Sequence, residues 1–192
     1  MDVNDISRIG VIGAGLMGHG IALNFALKGF DVFLNDTTLE SLERGMKDVE
    51  TSLATLESVG LADGSSLAEV LPRIHTSTSL AETVAEVDFV VEAVFEDMGV
   101  KHDVFSQLDQ MSPEHTILSS NTSSFMSSQL AAVTKRPAKV VVANWWNPPT
   151  LLPLIEVVRG PDTSDHTIDT TVQLFKKIGK RPVVLQKESM GF

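Results

Sequence analysis

Residues 8 to 22 read Arg8-Ile9-Gly10-Val11-Ile12-Gly13-Ala14-Gly15-Leu16-Met17-Gly18-His19-Gly20-Ile21-Ala22. The apolar run Ile9 to Ile12 has β character, and Leu16 to Leu27 has the period of an amphipathic helix. Between them Gly13, Gly15 and Gly18 make a Gly-x-Gly-x-x-Gly loop. Strand, tight turn and helix in that order aim the free N–H groups of a helix N-terminus at an anion. Gly13 permits the turn, Gly15 lets a pyrophosphate approach the backbone, and Gly18 lets the helix pack closely on the strand. The next apolar run, Asp31 to Asn35, ends at Asp36, 18 residues beyond Gly18. An acidic group at that distance accepts hydrogen bonds from a ribose hydroxyl. Asp36 would repel a 2′-phosphate, and no Arg stands beside it, so the pattern predicts NAD rather than NADP.

The rest of the chain bounds what this loop can belong to. Its 192 residues are 43% hydrophobic and 21% charged, enough for one globular domain with a core. A formal net charge of −10 argues against nucleic acid or an anionic membrane as the main partner. With no cysteine there is no disulfide, no thiolate nucleophile and no thiolate metal site, and no metal is expected. The opening Met1 to Ser7 is short and polar and is no secretory signal. No run of about 18 apolar residues is long enough to span a bilayer. A cytoplasmic protein fits these features.

Strand and helix patterns alternate along the whole chain. Strands are predicted at Ile9–Ile12, Val32–Asn35, Ile74–Ser77, Phe89–Val91, Thr116–Ser119, Val140–Ala143, Leu154–Val158 and Pro182–Leu185. Helices are predicted at Leu16–Lys28, Leu39–Val59, Leu80–Val84, Val100–Met111, Ser127–Val133 and Ser164–Ile178. Alternation of this kind implies an α/β fold of Rossmann type, a doubly wound, mostly parallel sheet with helices on both faces. Ligands in such sheets sit beyond the carboxyl ends of the strands. Gly60 to Ser66 reads as a surface loop, and the acidic residues of Leu39–Val59 as a solvated helix face.

Three segments follow predicted strands at the ligand end. The first is Val91-Glu92-Ala93-Val94-Phe95-Glu96-Asp97, with Lys101 beyond it. The second, Ser119-Ser120-Asn121-Thr122-Ser123-Ser124, gathers short hydroxyl and amide groups. The third is Asn144-Trp145-Trp146-Asn147-Pro148-Pro149, leading into Pro153-Leu154-Ile155-Glu156-Val157-Val158. Hydroxyl clusters commonly cap turns and Trp pairs commonly pack, but these segments would line one crevice beside the glycine loop.

Together, in this order, they closely resemble the NAD-binding domain of the 3-hydroxyacyl-CoA dehydrogenases. The resemblance covers essentially the whole chain, through Val157-Val158-Arg159-Gly160-Pro161 to the closing Met190-Gly191-Phe192. It implies that residues 1–192 form one Rossmann domain, that NAD is the cofactor, and that the substrate is a 3-hydroxyacyl-CoA. Gly13, Gly15 and Gly18, with Leu16 and Met17 between them, would hold the pyrophosphate, and Asp36 the adenine ribose. Glu96 and Lys101 would lie along the cofactor near the nicotinamide, and Ser123 between nicotinamide and substrate. Asn147 would position the reacting group, and Glu156 would orient the general base.

In the family that base is a histidine, which takes the hydroxyl proton as hydride leaves the same carbon. Here Asn144 occupies the position, 12 residues before Glu156. An amide can hydrogen-bond a hydroxyl but cannot accept its proton. Loss of a general base costs on the order of 10²–10⁴-fold in rate, so slow turnover or none is expected. His19, His75, His102, His115 and His166 are not expected to substitute.

Two further departures bear on substrate and assembly. The helix matching the family's CoA-binding helix is mostly acidic, although Ser52 could contact the adenosine end. The Asn-Pro-Pro segment also resembles relatives that oxidise free hydroxy acids, such as gulonate-type dehydrogenases and lambda-crystallin. The family continues into a helical C-terminal domain that forms a homodimer and closes the cleft, a domain expected to be absent from this chain. A catalytically silent NAD-binding module is a competing reading. Dehydrogenases of the 6-phosphogluconate type share an opening glycine loop, but their lysine-bearing, glycine-rich helix has no counterpart here.

Overall fold

A computed structural model describes residues 2–62, 64 and 66–191. Residues 63 and 65 of the expected loop 60–66, the closing residue 192 and residue 1 lie outside the described residues. The strands are β1 (Arg8–Ile12), β2 (Asp31–Asn35), β3 (Ile74–Ser77), β4 (Phe89–Glu92), β5 (Ile117–Ser120), β6 (Val140–Trp145), β7 (Leu154–Val158) and β8 (Arg181–Leu185). The α-helices are α1 (Gly18–Leu27), α2 (Leu39–Ser58), α3 (Leu67–Val70), α4 (Leu80–Val84), α5 (Met98–Met111), α6 (Ser127–Ala131) and α7 (Asp165–Lys177).

Among the described residues the eight strands form one sheet in the order β3-β2-β1-β4-β5-β6-β7-β8. From β3 to β6 every pairing is parallel, and the strand order reverses between β1 and β4. That reversal opens the crevice in which doubly wound sheets bind ligands. Strand β7 departs from the parallel pattern and runs antiparallel to β6, placing Asn144 opposite Glu156.

Side-chain alternation along the strands builds a core on each face of the sheet. Val11, Val32, Val91, Val141 and Val157 pack with Phe25 of α1, Leu53 of α2 and Phe175 of α7. Val90, Leu118 and Val142 turn the other way, toward Phe105 and Leu108 of α5 and Leu130 of α6. Strands buried on both faces read as near-continuous apolar runs, which made most of them legible.

The observed elements differ from the expected ones in three ways. Strands β4, β5 and β6 extend past their expected ends, so Glu92, Ser120 and Asn144 are ladder residues rather than loop residues. Helix α3 was not expected; it is a single turn whose cap, Ser66, donates its N–H to Glu69 Oε2 at 2.9 Å. The sheet also contains an antiparallel strand whose own sequence, apolar but for Glu156, carries no mark of its direction.

Candidate active site

The glycine loop lies at the carboxyl end of β1. Gly13 has φ +101°, and a Cβ there would stand 2.6 Å from the Ala93 carbonyl oxygen. Positive φ and that close approach both restrict the position to glycine. A Cβ at Gly18 would fall 1.7 Å from the Gly13 carbonyl oxygen, so Gly18 seats α1 on the loop rather than lining the cleft. Around Gly15 a Cβ would meet nothing within 4 Å, which leaves its backbone open to the cleft. A further glycine, Gly45 of α2, lets that helix approach the loop, since a Cβ would lie 2.7 Å from the Ala14 carbonyl oxygen.

Helix α1 begins without a side-chain cap. Thr38, Asp97 and Ser164 accept hydrogen bonds from Ser41 N, Val100 N and Thr167 N and so cap α2, α5 and α7. Met17, the N-cap of α1, offers no such acceptor. The free N–H groups and positive end of the helix dipole therefore face the glycine loop. Asp36 fixes the other side of the loop. Its Oδ2 accepts from Ala14 N at 2.8 Å and its Oδ1 from Thr37 N at 2.7 Å, while the residue lines the cleft. An anion-accepting helix end, an open Gly15 and a carboxylate at the end of β2 suit a dinucleotide.

The cleft encloses about 930 Å³ and runs from Asp36 past Gly15, Leu16 and Met17 to Glu96, Ser123 and Asn144. Its lining includes an apolar group, Leu80 of α4, Val94 after β4, and Val100 and Val104 of α5, that could receive a flat heteroaromatic ring.

Beneath Glu96 lies a buried charge network. Lys101, expected along the cofactor, does not reach the cleft, because its side chain is wholly buried and bound to carboxylates. Its Nζ donates to Glu92 Oε1 at 2.8 Å and Oε2 at 3.1 Å, and it pairs with Glu96 Oε2 at 3.2 Å. Glu92 also accepts from Ser120 Oγ at 2.5 Å and Val94 N at 2.7 Å. Burial pushes the Glu92 carboxyl above the ordinary range, opposed by Lys101 and these donors. Glu96 stays half exposed, accepts from Thr122 Oγ1 and faces the cleft. Lys101 thus acts on the cleft through Glu96.

The hydroxyl cluster divides in the same way. Ser119 Oγ donates to the Val90 carbonyl at 2.7 Å, and Ser120 and Thr122 serve the carboxylates. Ser123 remains exposed on the cleft. Asn121 accepts from Trp145 N at 2.9 Å and ties β5 to the end of β6.

Asn144 lines the cleft, and its Nδ2 donates to Glu156 Oε2 at 2.8 Å. Asn147 lies outside the lining. Because β6 runs to Trp145, Asn147 is carried, exposed, into the turn that follows. The ring of His19 is likewise engaged elsewhere, its Nδ1 2.9 Å from the Gly15 carbonyl oxygen and its Nε2 3.4 Å from Ser52 Oγ. Among the described residues no cluster of His, Asp and Glu could hold a metal ion, and no helix is long and apolar enough to cross a membrane.

The sequence places Glu92 and Thr122 in ligand-end segments without showing their roles, and Gly45 escapes it. An acid closing the apolar run Phe89-Val90-Val91 was the available sign for Glu92. Gly45, in mid-helix, was the sign of a close helix–loop contact.

Fold and cleft define a nucleotide-binding α/β domain of Rossmann type. Residues 8–189 match the family model of the 3-hydroxyacyl-CoA dehydrogenase NAD-binding domain, and the chain belongs to that family. It is 43% identical over 177 residues to a probable 3-hydroxybutyryl-CoA dehydrogenase of Deinococcus radiodurans, covering 92% of this chain and 63% of that protein. The crystal structure of (S)-3-hydroxybutyryl-CoA dehydrogenase PaaH1 from Ralstonia eutropha superposes with a TM-score of 0.91 at 35% identity, covering 98% of this chain and 66% of that one. A 5-formyl-3-hydroxy-2-methylpyridine 4-carboxylic acid 5-dehydrogenase, an NAD-dependent dismutase, gives a TM-score of 0.89 at 32% identity, covering 97% and 60%. The chain therefore spans about two thirds of the length of these relatives.

Proposed function

We propose that this domain binds NAD and serves the interconversion of (S)-3-hydroxyacyl-CoA and 3-oxoacyl-CoA, with the chemical step slowed by Asn144. The observation that carries the reading is the Asn144–Glu156 pair, 2.8 Å apart, in the cleft that the glycine loop opens. When bound, NAD supplies the hydride acceptor. In this reading Asp36 would hold a ribose, and the α1 N-terminus a pyrophosphate. Glu96, steadied by Lys101 and Thr122, and Ser123 face the cleft nearer Asn144. Glu156 orients the Asn144 amide, which can hydrogen-bond a substrate oxygen but holds no proton for it. General-base assistance is then missing, which slows turnover while leaving the groups that would hold the cofactor in place.

The acidic face of α2, with Glu40, Glu43, Asp48 and Glu50 exposed, favours a second reading in which the substrate is a free hydroxy acid without CoA phosphates. A relative named for a pyridine carboxylic acid supports the same alternative. Asn144 equally favours a silent NAD-binding module. We further read residues 1–192 as one domain, its setting as cytoplasmic, and its assembly as a homodimer through a C-terminal helical domain.

Calorimetric titration of the chain with NADH, NADPH, acetoacetyl-CoA and acetoacetate tests the scheme. NADH should bind more tightly than NADPH, and acetoacetyl-CoA more tightly than acetoacetate. Preference for acetoacetate would favour the free-acid reading, and equal NADH and NADPH affinity would contradict the role of Asp36.

A further inference from the structure

Lys180 is a buried ammonium with no part in the scheme above. It follows Gly179 at the end of α7 and leads into β8, with 8% of its surface exposed. Its Nζ donates to the carbonyl oxygens of Pro149 at 2.5 Å and Leu152 at 3.1 Å. It also stands 5.5 Å from the centre of the Trp145 ring. Burying an ammonium is costly, and burial lowers the Lys180 pKa from 10.5 to about 8. A methionine would fill the same space without that cost. What the lysine adds is a set of donors for two carbonyls of one turn.

The turn is held from its other side by α1. Asn24, also buried, donates from Nδ2 to the same Pro149 carbonyl at 3.0 Å and to the Gly20 carbonyl at 2.7 Å. Gly20 lets the proline ring lie against the helix, since a Cβ there would stand 2.6 Å from Pro149 Cγ. Within the turn, the N–H groups of Leu151 and Leu152 both donate to the Pro148 carbonyl, at 3.1 and 3.0 Å. Three half-exposed apolar side chains, Trp146, Leu151 and Leu152, project from this clamped segment. Trp146 leaves β6 two residues after Asn144.

We propose that Lys180 is a positioning residue that, with Asn24, clamps the Trp146–Leu152 segment against α1 and so fixes the end of β6, where Asn144 and Trp145 line the cleft. The inference rests on the dehydrogenase reading for the identity of the substrate, but the clamp itself is independent of it. Because the clamp ends on α1, the helix that would receive a pyrophosphate also steadies the strand end that carries Asn144.

The test compares Lys180→Met, which keeps the apolar stem and loses the donors, with Lys180→Arg, which keeps donors. Amide hydrogen exchange at Leu151 and Leu152 and affinities for NADH and acetoacetyl-CoA are measured on each. Lys180→Met should speed exchange at both amides and weaken acetoacetyl-CoA about tenfold, equivalent to ~1.4 kcal/mol, with NADH affinity kept within about twofold. Lys180→Arg should recover most of the loss. Should Lys180→Met fail to fold, Asn24→Leu removes the other donor and should give the same selective pattern. Unchanged exchange at Leu151 and Leu152 overturns the clamp. Faster exchange with unchanged acetoacetyl-CoA affinity, or equal loss of both ligands, overturns the positioning role. If the unaltered chain binds no acetoacetyl-CoA, the substrate assignment fails, and the exchange data still decide the clamp.

Discussion

Replacing Asn144 by histidine should speed the proposed hydride transfer. The donor atom of asparagine, Nδ2, and the Nδ1 of histidine are both bonded to Cγ. An imidazole at position 144 can therefore give its Nδ1–H to Glu156 Oε2 across the 2.8 Å that the amide now spans. The Cα positions are fixed by the β6–β7 ladder, in which Asn144 and Glu156 are directly opposed. Nε2 then extends one ring width farther than the present amide reaches, at a position that already lines the cleft. A correctly placed general base contributes on the order of 10²–10⁴-fold. That corresponds to roughly 3–5 kcal/mol of activation free energy. The assay is NADH formation from NAD and (S)-3-hydroxybutyryl-CoA, followed across pH. Asn144→His should raise kcat by that factor and introduce an acidic limb, because only neutral imidazole accepts the proton and its ordinary pKa is about 6.5. Removing the orienting carboxylate by Glu156→Gln in the histidine variant should reverse most of the gain. An unchanged kcat with NADH binding and fold intact would refute the assignment of position 144, as would a gain with no acidic limb.

Other expectations follow from the same geometry. Gly18→Ala drives a methyl into the Gly13 carbonyl and should lower unfolding free energy by at least about 1–3 kcal/mol, read by urea denaturation, whereas Gly15→Ala should fold normally and lose NADH affinity by calorimetry. Equal stability of the two variants would contradict their separate roles. Glu92→Leu leaves Lys101 buried with only Glu96 and should cost roughly 3–5 kcal/mol, while Glu92→Leu with Lys101→Met should recover most of it in a double-mutant cycle. Lys180 binds its proton less tightly folded, with a pKa of about 8, than its ordinary 10.5, so the unfolded chain holds more protons between those values. Stability relative to Lys180→Met should therefore rise from pH 8 toward 10.5, by a few kcal/mol in all, and a parallel pH dependence of the two proteins would exclude the shift.

Much of this site was legible along the chain, for identifiable reasons. The glycine loop announces itself because Gly13 needs positive φ and Gly18 allows no Cβ, constraints that act within a few residues. Asp36 was readable because it closes a strand at a fixed distance from the loop. The Asn144–Glu156 partnership was readable only through the family's spacing, yet the structure joins the two side chains directly. Lys101 was misplaced because its position on α5 does not reveal that Glu92, at the end of β4, lies beneath it. Asn147 was expected in the cleft because the extra two residues of β6 could not be inferred from the mixed polar and aromatic sequence Asn144-Trp145-Trp146-Asn147. Lys180 and Asn24 gave no local sign, since the carbonyls they serve belong to a distant turn.

A helix end left for a ligand makes the cofactor part of the domain's own lifetime. Helix α1 is almost wholly buried, yet its first turn receives no side-chain cap from the protein. A dinucleotide phosphate bound there would take up the helix's first N–H groups. At a hundred times its dissociation constant a ligand adds about 2.7 kcal/mol to folding stability, roughly a hundredfold fewer unfolded molecules at any moment. Proteases act on that unfolded fraction, so the abundance of this domain in a cell would follow the nicotinamide nucleotide pool even where no hydride is ever transferred.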